Sequence, residues 1–163
     1  VKLLLCDVDG VLTDGTVWIG RDFEAKGFSI LDGMGLALLR RAGLQVGWIS
    51  SRPSPATAQR AAELSVDYLH QDKTSKVQAV ESILARAGCG WEEVCFVGDD
   101  LVDLGALRRA GVAVAVANAV AEVKRCAHFT TRAGGGQGAV REVVEKLLRA
   151  RGHWRKLVAE FDV

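Results

Sequence analysis

The chain has 163 residues, a formal net charge of +1, 49% hydrophobic and 25% charged residues. That length suits one domain with a full core. The near-neutral balance lacks the basic stripe that nucleic acid demands, and no apolar run approaches the ~20 residues of a membrane span, so neither nucleic acid nor a membrane is the expected partner. No signal-peptide pattern opens the chain. It starts on a strand without Met, which suits a chain missing a few residues or cut from a longer one. Cys6, Cys89, Cys95 and Cys126 form no CxxC and no Cys/His cluster, so they read as small core residues in a reduced, cytoplasmic setting.

Apolar runs of strand length alternate with helix-period segments. Lys2–Cys6 reads as a strand. Thr16–Ile19 and Glu24–Ile30, around Gly20-Arg21-Asp22, read as a β-hairpin. Gly33–Ala42 has helical spacing and stops at Gly43; Gln45–Ser50 is a strand; a helix over Ala56–Leu64 follows the Pro53 and Pro55 turn. Then come strand Val66–His70, helix Ser75–Ala87 ended by Gly88, strand Glu93–Val97 and helix Asp103–Ala110 ended by Gly111. Strand Val112–Val116, helix Ala119–Cys126, short strand His128–Thr131 and helix Ala139–Ala150 complete a domain over residues 1–150. Residues 151–163 read as a polar tail with scattered apolar anchors at Trp154, Leu157, Val158 and Phe161.

This alternation predicts an α/β fold, a Rossmann-like parallel sheet with helices on both faces. Ligands of such sheets bind beyond the carboxyl ends of the strands. The polar residues at those ends are Asp7 and Asp9, then Ser50, then His70 and Gln71, then Asp99 and Asp100. Asp7 and Asp9 follow the apolar run V-K-L-L-L, and burying carboxylates there requires a compensating cation or donors. Asp99, Asp100 and Asp103 come from V-G-D-D-L-V-D. Oxygen-only ligands without His or Cys suit Mg²⁺. Ser50, at a strand end before free backbone N–H groups, suits a phosphate oxygen. Lys76 opens a helix, where the dipole opposes a cation, and so needs another reason to be there; Lys73 is its rival by spacing. His70 reads as a supporting histidine.

The series D-V-D-G-V-L-T-D-G, I-S-S-R, a segment ending at Lys76 and V-G-D-D-L-V-D resembles the four motifs of the haloacid dehalogenase superfamily of phosphatases, over nearly the whole chain. The long first motif, the lack of a separate cap domain and G-G-Q-G-A-V-R-E at Gly135–Glu142 are similar to the 3-deoxy-D-manno-octulosonate 8-phosphate phosphatase subfamily and its relatives acting on nine-carbon sialic-type acids. The resemblance implies a nucleophile at Asp7 and an acid and base at Asp9. It implies Mg²⁺ held by Asp7, Asp99 and the backbone carbonyl of Asp9, with Asp100 and Asp103 in outer or water-mediated roles. It implies phosphoryl binding by Ser50 and Lys76, and a substrate side formed by Ser51, Arg52, Asp32 and Gly33, with Arg52 meeting the sugar acid's carboxylate. Ser51 stands where the family usually has Gly, and Leu31 where the octulosonate branch commonly has Arg. The resemblance further implies a ring-like homotetramer, contacted through Trp18, Ile19, Phe23 and Phe28 of a hairpin spanning 16–30, with the tail reaching a neighbour's site. Asp9 argues against a dehalogenase, and the order of acids against a phospho-accepting receiver domain. A non-catalytic tetramerisation domain, as in some sialic acid cytidylyltransferases, is the remaining alternative; the retained acids speak for an enzyme.

Overall fold

A computed structural model describes residues 1–162. Leu3–Asp7 forms β1, buried at every position. Trp18–Ile19 (β2) and Glu24–Ala25 (β3) form a small antiparallel ribbon. Five further strands follow: β4 (Gln45–Ser50), β5 (Tyr68–Gln71), β6 (Val94–Gly98), β7 (Val112–Ala115) and β8 (Phe129–Thr130). With β1 they make one sheet in the order β5-β4-β1-β6-β7-β8, every pair parallel. Near-continuous apolar strands are what a sheet covered on both faces requires. β1 is central, with Cys6 beside Trp48 on one side and Val97 on the other. All four cysteines are free thiols.

The helices are α1 (Ile30–Arg41), α2 (Pro55–Glu63), α3 (Lys76–Ala87), α4 (Leu104–Leu107), α5 (Ala121–Cys126), α6 (Ala139–Ala150) and α7 (Trp154–Ala159). Three differences from the expected elements have local causes. The second hairpin strand is two residues long and does not run to Ile30, because Ser29 accepts from the Asp32 N–H and starts α1 at Ile30. The segment read as a helix from Asp103 is a 3₁₀ turn, Leu101–Asp103, followed by the short α4. The tail carries a helix. Leu157 of α7 is buried, and Arg41 of α1 both pairs with Glu160 and lies 5.6 Å over the Phe161 ring, so this segment docks on its own chain.

Two residues expected on the substrate side are placed elsewhere. Asp32, in the first turn of α1, is buried and accepts the Arg141 N–H at 2.7 Å, holding the start of α6. Burial pushes its pKa up, and the backbone N–H groups of Arg141, Gly138 and Val140 oppose that shift. Gly33 is covered by Arg60 and Leu64, at the contact of α1 with α2. Phe28 stacks on fully buried Trp48 at 5.9 Å, so it belongs to the core and not to an outer contact surface.

Candidate active site

Parallel strands carry their carboxyl ends to one edge, and the site is built there. Asp7 is the last residue of β1 and is only 7% exposed. Lys76, the first residue of α3, is 4% exposed. Its ammonium contacts Asp7 Oδ1, donates to the Ile49 carbonyl at 2.9 Å and stands 3.2 Å from Asp103 Oδ1. Lys73 is exposed in the preceding loop, so between the rival lysines the fold brings Lys76 to the acids. Ser75 explains the choice: it caps α3 by accepting from the Gln78 N–H, which turns the next residue inward.

Asp99 and Asp100 follow β6. Asp103 Oδ2 accepts from the Asp99 N–H at 2.9 Å and the Asp100 N–H at 3.3 Å. Fully buried Asp103 thus shapes this loop while facing Lys76, and Asp100 is exposed, capping the 3₁₀ turn. Carboxylate oxygens of Asp7, Asp99 and Asp103 lie within 4.8 Å of one another. Such crowding disfavours ionisation. Asp99 is pushed up to about 8 by burial and then by the charges of Asp7 and Asp103. Asp7 is raised to about 6 by burial, against the pull of Lys76.

This donor set fits a hard divalent cation. It is all oxygen, and Asp99 Oδ1 is a buried acceptor with no hydrogen-bond partner. Asp99 and the Asp7 oxygen that Lys76 does not touch are the donors left open, since Asp103 Oδ2 is taken by two backbone N–H groups and its Oδ1 stands 3.2 Å from Lys76. Gly10 makes room: its φ is +99°, and an added Cβ would lie 2.1 Å from Asp99 Oδ2.

Ser50, at the end of β4, is 2% exposed and closes a turn with its hydroxyl, accepting from the Arg52 N–H at 3.1 Å and donating to the Arg52 carbonyl at 3.0 Å. Ser51 is exposed. The Arg52 guanidinium pairs with Glu24 Oε2 at 2.6 Å, and Glu24 also accepts from Ser54 Oγ. These two donors hold the Glu24 carboxyl below its usual range. His70, at the end of β5, shares its Nε2 with Asp72 (2.9 Å) and Thr74 (2.8 Å) in the loop before α3.

Two contributors escape a reading of the sequence. Asn118, in the loop after β7, donates to the Gly10 carbonyl at 2.9 Å and accepts from the Gly135 N–H at 2.7 Å, joining two loops distant in the chain. Nothing local in the sequence marks it. Lys26 meets Asp9 at 2.7 Å. Its only signal is the E-A-K alternation, which puts Glu24 and Lys26 on one side of an extended segment.

Residues 48–142 match the model of the haloacid dehalogenase-like hydrolases. The 3-deoxy-D-manno-octulosonate 8-phosphate phosphatase of Yersinia pestis is 38% identical over 152 residues, covering 93% of this chain and 81% of that protein. The chain belongs to this phosphatase family. Among solved structures, the enzyme of that name from Moraxella catarrhalis, in complex with magnesium ion, phosphate ion and KDO, superposes with a TM-score of 0.97 at 34% identity, covering 99% of this chain and 94% of that one. A probable phosphatase from Pseudomonas syringae superposes with a TM-score of 0.96 at 40% identity, covering 99% and 92% of the two chains. The family's capless α/β architecture is the one seen here.

Proposed function

We propose that this chain is a Mg²⁺-dependent phosphatase that hydrolyses the phosphate monoester of a 2-keto-3-deoxy sugar acid, 3-deoxy-D-manno-octulosonate 8-phosphate, through an aspartyl-phosphate. The observation that carries the reading is the meeting of Asp7, Lys76 and Asp99 at one strand edge, in a chain whose relatives are phosphatases of this ester.

Asp7 is the nucleophile. Its carboxylate attacks phosphorus, a bond from Asp7 to phosphorus forms, and the bond from phosphorus to the sugar oxygen breaks. Asp9 gives its proton to the departing alkoxide, then takes one from the water that attacks the phosphoaspartate and frees Asp7. The Lys76 ammonium and the Ser50 hydroxyl face the transferring oxygens, whose charge is spread in the transition state. Mg²⁺ bound by Asp7, Asp99 and the Asp9 backbone carbonyl would neutralise phosphoryl charge and let both carboxylates ionise. Arg52 is the cation for the sugar acid's carboxylate, which would compete with Glu24 for the guanidinium.

The working form is a homotetramer. Trp18, Ile19 and Phe23 of the hairpin, with Ile30 and Leu31 at the start of α1, are 53–75% exposed, and such apolar side chains suit contact with a second copy. The site then gains cover from water without a cap domain.

The test is phosphate release, with Mg²⁺, from a panel of eight- and nine-carbon 2-keto-3-deoxy sugar-acid phosphates, beside Asp7→Asn. Mg²⁺-dependent turnover of the eight-carbon ester is expected, with a loss of at least about 10³-fold in the variant. Preference for a nine-carbon ester would move the substrate assignment; no turnover of any ester would sink the enzyme reading.

A further inference from the structure

The hairpin does more than present an apolar outer face. Its inner side carries Glu24 and Lys26 toward the strand ends. The Lys26 side chain is fully buried although its backbone is not, an unusual setting for a hairpin lysine. Its ammonium lies 2.7 Å from Asp9 Oδ1 and donates to the hydroxyl of fully buried Thr57 at 3.2 Å. Thr57 belongs to the first turn of α2, where its N–H donates to the Ser54 cap. Lys26 is therefore fixed from two elements, the hairpin and α2. The contact falls on one oxygen of Asp9. Oδ1 is buried, whereas the side chain as a whole is 25% exposed, so the exposed part of Asp9 lies away from the oxygen that Lys26 contacts.

We propose that Lys26 is a positioning residue for Asp9: it pins Oδ1 and so presents Oδ2 to the leaving oxygen of the substrate. The inference rests on the phosphatase reading and adds a role for the hairpin within one chain. Glu24 extends the same logic, since its contacts with Arg52 and Ser54 tie the hairpin to the loop after β4. In a fold without a cap, this ribbon supplies the alignment that a closing domain would otherwise supply. Without Lys26 the Asp9 side chain is free to leave its working rotamer, and the cost falls on proton delivery, not on binding of the phosphoryl group.

A leaving group that needs no proton separates the two. The experiment compares wild type, Lys26→Met, Lys26→Arg, Asp9→Asn and the double variant Lys26→Met/Asp9→Asn, each with Mg²⁺, on the sugar-acid phosphate and on p-nitrophenyl phosphate. For Lys26→Met, kcat on the sugar ester should fall about 10- to 100-fold with KM changed less than about twofold, the scale of a misplaced catalytic group. The pre-steady-state burst of p-nitrophenolate, which reads formation of the phosphoaspartate alone, should stay within about twofold of wild type, since this leaving group departs unprotonated. Lys26→Arg should recover most of the sugar-ester rate, and Lys26→Met should cost nothing further once Asp9 is Asn. Equal losses in the first, phosphoaspartate-forming step on both esters, no loss on either, or a multiplied loss in the double variant would overturn the proposal while leaving the phosphatase reading intact. Failure of that reading would instead show in the wild type, as no release from either ester.

Discussion

Two lysines are buried beside carboxylates in this crevice, and they arrive from opposite kinds of structure. Lys76 opens a twelve-residue helix packed on the central sheet, and it faces Asp7 at a strand end and Asp103 at the end of the 3₁₀ turn. Lys26 follows a two-residue strand of a ribbon whose outer face is exposed, and it meets Asp9 in the loop after β1. The first is held by the scaffold and faces the proposed nucleophile. The second is held by an accessory element and faces the proposed acid and base. Under the proposed mechanism, phosphoryl binding and attack thus lie on the rigid core, and the proton transfers are tied to the hairpin.

The hardest test of this contrast is Lys76→Met. It removes a cation from the transferring oxygens, so kcat should drop about 10²- to 10³-fold on sugar and aryl esters alike. A loss confined to the sugar ester would erase the distinction between the two lysines.

The acids beside Lys76 should also tie stability to pH in a direction Mg²⁺ reverses. Asp7 and Asp99 are raised in the fold, to about 6 and about 8. Their contribution to the metal-free protein is therefore fully present below the ordinary carboxylate pKa of about 4, and is lost as pH rises through those two values. Mg²⁺ takes the ionised forms and releases protons, so the rise in Tm on adding Mg²⁺ should grow from pH 6 to pH 8. Thermal melts across that range, with and without Mg²⁺, measure it; a constant rise would mean that the pair is ionised before the metal arrives.

The smallest effect is expected at the hairpin's outer face. Ile19→Asp with Phe23→Ser should change the stability of the single chain by no more than about 0.5 kcal/mol, as exposed substitutions do. The same pair should shift the mass seen by light scattering from the proposed tetramer to smaller species. A large loss of stability in the single chain would show that the ribbon is part of the core after all.

Legibility in the sequence followed the same division. The sheet and its strand ends were readable because a parallel sheet needs apolar runs, and a polar residue closing such a run is conspicuous; Asp7, Ser50 and Asp99 all stood out this way. Lys76 could not be told from Lys73 by spacing, though Ser75 as a cap settles where α3 begins. The start of α1 had its own signal in Ser29 and Asp32, three residues apart as in a capping box. The tail helix was signalled too: Trp154, Leu157, Val158 and Phe161 fall at the i, i+3, i+4, i+7 positions of one helical face. Asp32 misled because a motif position does not say which way a side chain turns, and here it caps α6. Lys26 and Asn118 act across 17 and 108 residues of chain, and no local pattern encodes such a meeting.

The bridge made by Asn118 has a consequence for how this molecule can be watched. The Gly135 amide is held by Asn118 Oδ1, and the same side chain holds the Gly10 carbonyl, so the two loops open together or not at all. An added Cβ at Gly135 would lie 1.9 Å from that carbonyl oxygen, so the two backbones are in direct contact. The exchange of a single backbone proton with deuterated water, at Gly135, therefore reads the opening of the loop that carries Asp9, from a residue outside the proposed catalytic set.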